Sequence, residues 1–84
     1  MKQGVVRVLF RGGPVYIASI AVNDDQELSE HREWKWLRQW WVRGFDADTH
    51  MAHSVTWDDG SEVLLNRAFI MNITMEPKVV LEIN

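Results

Sequence analysis

The chain has 84 residues, of which 46% are hydrophobic and 25% charged. That is the balance of one small globular domain, not of a disordered tail, a collagen or a coiled coil. It has no cysteine, which excludes disulfides, thiolate chemistry and cysteine-based zinc sites. Nine basic and 12 acidic residues leave a net charge of −3, which opposes general binding to nucleic acid, where phosphate neutralisation supplies much of the affinity.

No apolar run approaches the roughly 20 residues that a transmembrane helix needs. Met1-Lys2-Gln3-Gly4 begins no long apolar segment of the secretory kind. The expectation is therefore a cytoplasmic protein with no membrane association. A chain this short buries only about 60% of its unfolded surface. Its apolar residues are consumed by folding and few remain to line a deep pocket, so a binding module is expected rather than an enzyme.

Residues 4–10, Gly-Val-Val-Arg-Val-Leu-Phe, are rich in β-branched and aromatic types and predict a strand. Arg11-Gly12-Gly13-Pro14 is a turn signal, and residues 15–22 predict a second strand that completes a hairpin. Asn23-Asp24-Asp25 stops the sheet. Residues 25–42 predict a helix. Asp24 and Glu27 have capping-box spacing, acidic residues precede basic ones as the macrodipole prefers, and Gly44 marks a stop. At helical spacing Trp34, Trp36, Leu37, Trp40 and Trp41 fall on one broad face, with Leu28 off it. A strand over 34–42 is the competing reading, because Trp34 and Trp36 alternate with Glu33 and Lys35. The adjacent pair Trp40-Trp41 breaks that alternation and favours the helix.

The last third reads as β again. His53, Val55 and Trp57 alternate with Ser54 and Thr56, Asp58-Asp59-Gly60-Ser61 is an Asp-Gly connection, and Glu62 to Asn66 returns as the partner strand. Asn66-Arg67-Ala68 predicts a short turn. Phe69, Met71, Ile73 and Met75 then alternate with Ile70, Asn72 and Thr74. After Pro77, the alternation of Val79, Leu81 and Ile83 predicts an edge strand. The order is β-β-α-β-β-β-β, an α+β fold with a small, mostly antiparallel sheet and one Trp-rich helix packed on it, forming a single domain over 1–84. The Asp-Gly hairpin and the break before residues 69–75 also resemble small SH3-like or Sm-like barrels, without a diagnostic motif. That resemblance implies a sheet curled into a barrel.

Four tryptophans between Trp34 and Trp41 are interleaved with Lys35 and Arg38, within the chain's one basic cluster of Arg32, Lys35, Arg38 and Arg43. Trp beside Arg suits a protein-binding hot spot, and it also suits base stacking. Trp36, Leu37 and Trp40 are expected in the core. Trp34, and one of Trp40 or Trp41, are expected to be exposed, so the partner-binding set is Trp34, Lys35, Arg38, Trp41 and Arg43.

Other chemistries find less support. Asp46, Asp48, His50 and His53 are ligand types without the spacing of a metal signature, and read as an acidic loop entering a strand. Ser19, Ser29, Ser54 and Ser61 lie in no nucleophile elbow, and Ser54 and His53, as strand neighbours, point to opposite faces. Asp58 and Asp59 read as turn formers. Gly12-Gly13-Pro14 lacks the Lys-Ser/Thr of a phosphate loop and precedes a strand. No cofactor, metal or catalytic residue is expected.

The reading is a small non-enzymatic module that binds a larger protein, as adaptor or inhibitor. Its size and style suit an accessory protein of a phage or mobile element. Self-association through the Trp surface or an edge strand fits equally well. The alternative is a nucleic-acid-binding small β-barrel that uses the basic 32–43 segment.

Overall fold

The computed structural model describes residues 1–43 and 51–78. The first hairpin forms as predicted, from β1 (Lys2–Phe10) and β2 (Val15–Val22). The Arg11–Pro14 turn closes it, with Gly12 and Gly13 at φ of 92° and 106°, where a side chain would be strained. A single 3₁₀ turn (Leu28–Glu30) leads into α1 (Arg32–Arg43). β3 (Ala52–Thr56) and β4 (Glu62–Asn66) form the second hairpin, and β5 (Ile70–Pro77) follows a second 3₁₀ turn at Arg67–Phe69.

The described residues form two antiparallel sheets, one with the order β2-β1-β5 and one made of β3 and β4. Among these residues the sheets do not close on each other, so the architecture is α+β with open sheets rather than a barrel. Val6 and Val8 of β1 lie opposite Ala18 and Tyr16 of β2, and opposite Met75 and Ile73 of β5. Val6, Val8, Ala18, Ile20 and Ile73 thus bury the inner face of the larger sheet. Against them pack Trp34, Leu37 and Trp40 from α1, and Val55, Trp57 and Leu65 from the second hairpin. Each fully buried aliphatic side chain contributes about 1.5–3 kcal/mol by leaving water.

Three expectations are corrected. The helix begins at Arg32, not near residue 25. Glu30, rather than Asp24, supplies the carboxylate that accepts from the Glu27 N–H, at 3.1 Å, and this reinforces the 3₁₀ turn. His31, at φ −56° and ψ 127°, then leaves helical geometry and separates that turn from α1.

The final strand also differs in register. The Asn66 side chain accepts from the Ala68 N–H at 2.9 Å, which holds Phe69 in the 3₁₀ turn, where it is 62% exposed. Phe10 pairs with Ile70 and Leu9 with Asn72, so Met71 is an extra residue in β5. That bulge shifts the alternation. Ile70 and Ile73 turn inward while Met71 turns out. The predicted strand at Val79, Leu81 and Ile83 lies outside the described residues.

Candidate interaction surface

α1 carries the basic cluster, so its orientation decides what the cluster can meet. Its N-terminus leaves backbone N–H groups without helical partners. His31 supplies one acceptor, since its Nδ1 receives the Trp34 N–H at 3.2 Å. A backbone N–H can only donate, so Nδ1 holds the lone pair and Nε2 the proton. Nε2 in turn donates to Asp58 Oδ2 at 2.8 Å. The ring, only 5% exposed, therefore ties the start of α1 to the β3–β4 turn.

At the other end of α1, Arg67 does the matching work. Its guanidinium donates to the Trp41 carbonyl at 2.9 Å and to the Trp40 carbonyl, two of the acceptors a helix C-terminus leaves over. It also lies over the Trp40 ring at 4.4 Å and the Trp41 ring at 5.2 Å. Burial draws its guanidinium below the ordinary arginine value, yet arginine stays charged throughout the physiological range. His53 of β3 stacks on Trp40 at 5.2 Å, and burial lowers its pKa from the usual 6.5. The second hairpin and the 3₁₀ turn that follows it thus hold α1 at both ends and along one flank.

With α1 fixed in this way, its inward face is Trp34, Leu37 and Trp40. Trp34 is only 7% exposed, so it belongs to the core and not to a free surface as expected from the sequence. Trp36, expected in the core, is 50% exposed. Trp41 is half-buried under Arg67. Geometry explains the exchange. On a helix turning about 100° per residue, Trp34 and Trp40 lie about 60° either side of Leu37, whereas Trp36 lies about 100° away.

The outward side therefore presents Arg32, Lys35, Trp36, Arg38, Val42 and Arg43, all exposed, with Arg32 and Trp36 on the flank towards β3 and Arg38 and Val42 on the flank towards β5. The Arg32 guanidinium stacks on the Trp36 ring at 4.4 Å and holds it in place. Trp36 also forms one wall of a groove of about 400 Å³ between α1 and β3, lined further by Arg32, Glu33, His53, Ser54 and Thr56. Of the partner-binding set, Lys35, Arg38 and Arg43 share this surface, Trp41 is at its margin and Trp34 is beneath it. Asp46, Asp48 and His50 lie outside the described residues.

Sequence reasoning missed His31, Arg67 and the exposed position of Trp36. His31 stands three residues before Trp34, the spacing of a helix cap, but histidine is not a usual capping type. Arg67 carried no local signal, because its contacts lie 26 and 27 residues away. Ligand atoms of His31, Glu33 and Asp58 lie within 4.8 Å of one another. Both ring nitrogens of His31 are already engaged, however, so a cation there would have to displace either the helix cap or the Asp58 contact.

No helix among the described residues is long and apolar enough to cross a membrane. No family model, curated protein or solved structure matches the chain.

Proposed function

We propose that the chain is a non-enzymatic protein-interaction module that binds an acidic surface of a larger protein through the outward face of α1. The supporting observation is Trp36, half exposed and braced by Arg32, with Arg43 near it in helical angle and Lys35 and Arg38 further round the outward side. A large aromatic braced by a cation loses little freedom on binding, and hot spots are enriched in Trp and Arg. The remainder of this net acidic chain repels an acidic partner, so the basic face directs which way round the partner docks. A role as adaptor or inhibitor, an origin in a phage or mobile element, and a cytoplasmic location all fit this reading.

The second reading is nucleic-acid binding, favoured by the four exposed cations on the outward side of α1. One experiment separates the two. Tagged wild-type and Trp36→Ala proteins are used to capture partners from the host lysate, with and without nuclease. A stoichiometric protein that survives nuclease and is lost with Trp36→Ala is the expected result. Recovery that disappears with nuclease, together with retained RNA or DNA that elutes steeply with salt, establishes nucleic-acid binding instead. Equal capture by the two proteins removes the helix face from the contact.

A further inference from the structure

The larger sheet has two outer edges, and they are built differently. β5 carries Glu76 and Pro77 and is bent at Met71, features that discourage a further strand. β2 carries none of them. Val15 to Val22 contains no charge and no proline, and all eight residues pair in unbroken register with β1. Its other edge meets no strand among the described residues. Ile17 is 58% and Val15 49% exposed on the side of the sheet away from α1. An uncharged, regular edge of this length is a template for another strand.

We propose that β2 pairs antiparallel with β2 of a second copy of this chain, about a two-fold axis at Ile17. Residues directly opposite in an antiparallel pair share a face of the sheet, so only some registers keep buried residues on the buried side. With Ile17 opposite Ile17 of the second copy, Val15 faces Ser19 and Tyr16 faces Ala18, and the inward residues remain inward. The two exposed isoleucines then cover each other, and the two larger sheets become one.

The charges nearest β2 lie away from its free edge: the Arg11 N–H donates to the Phe69 carbonyl beside β5, and Asp24 meets the N-terminal ammonium beside β1. Nowhere along the paired strands do like charges meet. The pairing leaves the outward face of α1 free, so it does not depend on the partner surface proposed above.

The test is sedimentation equilibrium of wild type, Ile17→Lys and Trp36→Ala over a range of concentrations, with circular dichroism to establish folding. A wild-type dimer is expected. Ile17→Lys places like charges across the axis and weakens it at least about tenfold, while Trp36→Ala dimerises as wild type does. The native chain has no cysteine, so Ile17→Cys gives a second readout that does not depend on dissociation. Opposed Cα atoms in an antiparallel pair are about 4.5–5.5 Å apart, within disulfide range. Mild oxidation should link Ile17→Cys into dimers, and should not link Ser29→Cys. A monomeric wild type, an undiminished dimer with Ile17→Lys, or equal cross-linking of the two cysteine variants overturns the proposal. Loss of the dimer in Trp36→Ala places the contact on the helix instead, and overturns it too.

Discussion

Trp34 and Trp36 are the same residue type, two positions apart on one helix, yet they live in different media. Trp34 packs with Leu37 and Trp40 against the sheet, whereas Trp36 stands half in water with Arg32 against its ring. The inward face of α1 is a matter of volume and is satisfied by shape. The outward face is a matter of charge and accessibility, and its residues contribute little to the fold. What separates them is rotation about the helix axis, and that rotation is set by the contacts of His31 and Arg67 at the two helix ends. A tryptophan count picks out the helix but not its faces. The end contacts decide which of its tryptophans is available.

The comparison can be broken most directly at Trp34. Trp34→Ala removes a buried aromatic and should cost about 3–5 kcal/mol in chemical denaturation. A loss within about 0.5 kcal/mol, as at ordinary surface positions, would mean that Trp34 is not in the core.

His31→Ala tests the helix setting itself. Loss of the cap to the Trp34 N–H, and with it the link to Asp58, should cost about 0.5–2 kcal/mol. Hydrogen exchange should show the first turn of α1 opening more readily. Unchanged protection of the Trp34 amide would remove His31 from the capping role.

A smaller effect belongs to the flank. His53 has its pKa lowered below 6.5 by burial against Trp40. Below that value the unfolded chain takes up a proton more readily than the folded one, so this contribution to stability is present above pH 6.5 and is lost as pH falls towards the lowered folded value. His53→Phe should flatten the dependence of melting temperature on pH just below neutrality. A variant whose profile matches wild type would show that His53 does not couple to folding.

The smallest change in stability is expected at Trp36. Trp36→Ala should alter the unfolding free energy by no more than about 0.5 kcal/mol, the range of ordinary surface positions. If it destabilises as much as Trp34→Ala, the two faces are not distinct and the proposed contact surface is lost.

Much of the fold could be read locally. Both hairpins carry their signals in adjacent residues: β-branched runs flank Gly12-Gly13, and an alternating pair of strands flanks Asp59-Gly60. The β5 register was not legible in the same way. Phe69, Met71, Ile73 and Met75 alternate in sequence, yet a 3₁₀ turn and a bulge put Ile70 inside and Phe69 outside. The pattern was real, but one extra residue inverted its meaning, because the side-chain period of a strand is two.

The candidate surface divides along similar lines. Arg32, Lys35, Arg38 and Arg43 are spaced so that a helix gathers them on one side, and that side had to face water because charge is costly to bury. Trp34 and Trp36 could not be ranked in the same way, since either could have been accommodated in an apolar core. The amino-acid sequence by itself determined the α+β class, the two hairpins and the basic side of one helix, all of which follow from local propensity and periodicity. The tertiary structure alone decided which tryptophan is exposed, how β5 is registered and that His31 and Arg67 hold the helix, because each depends on contacts between residues far apart in the chain.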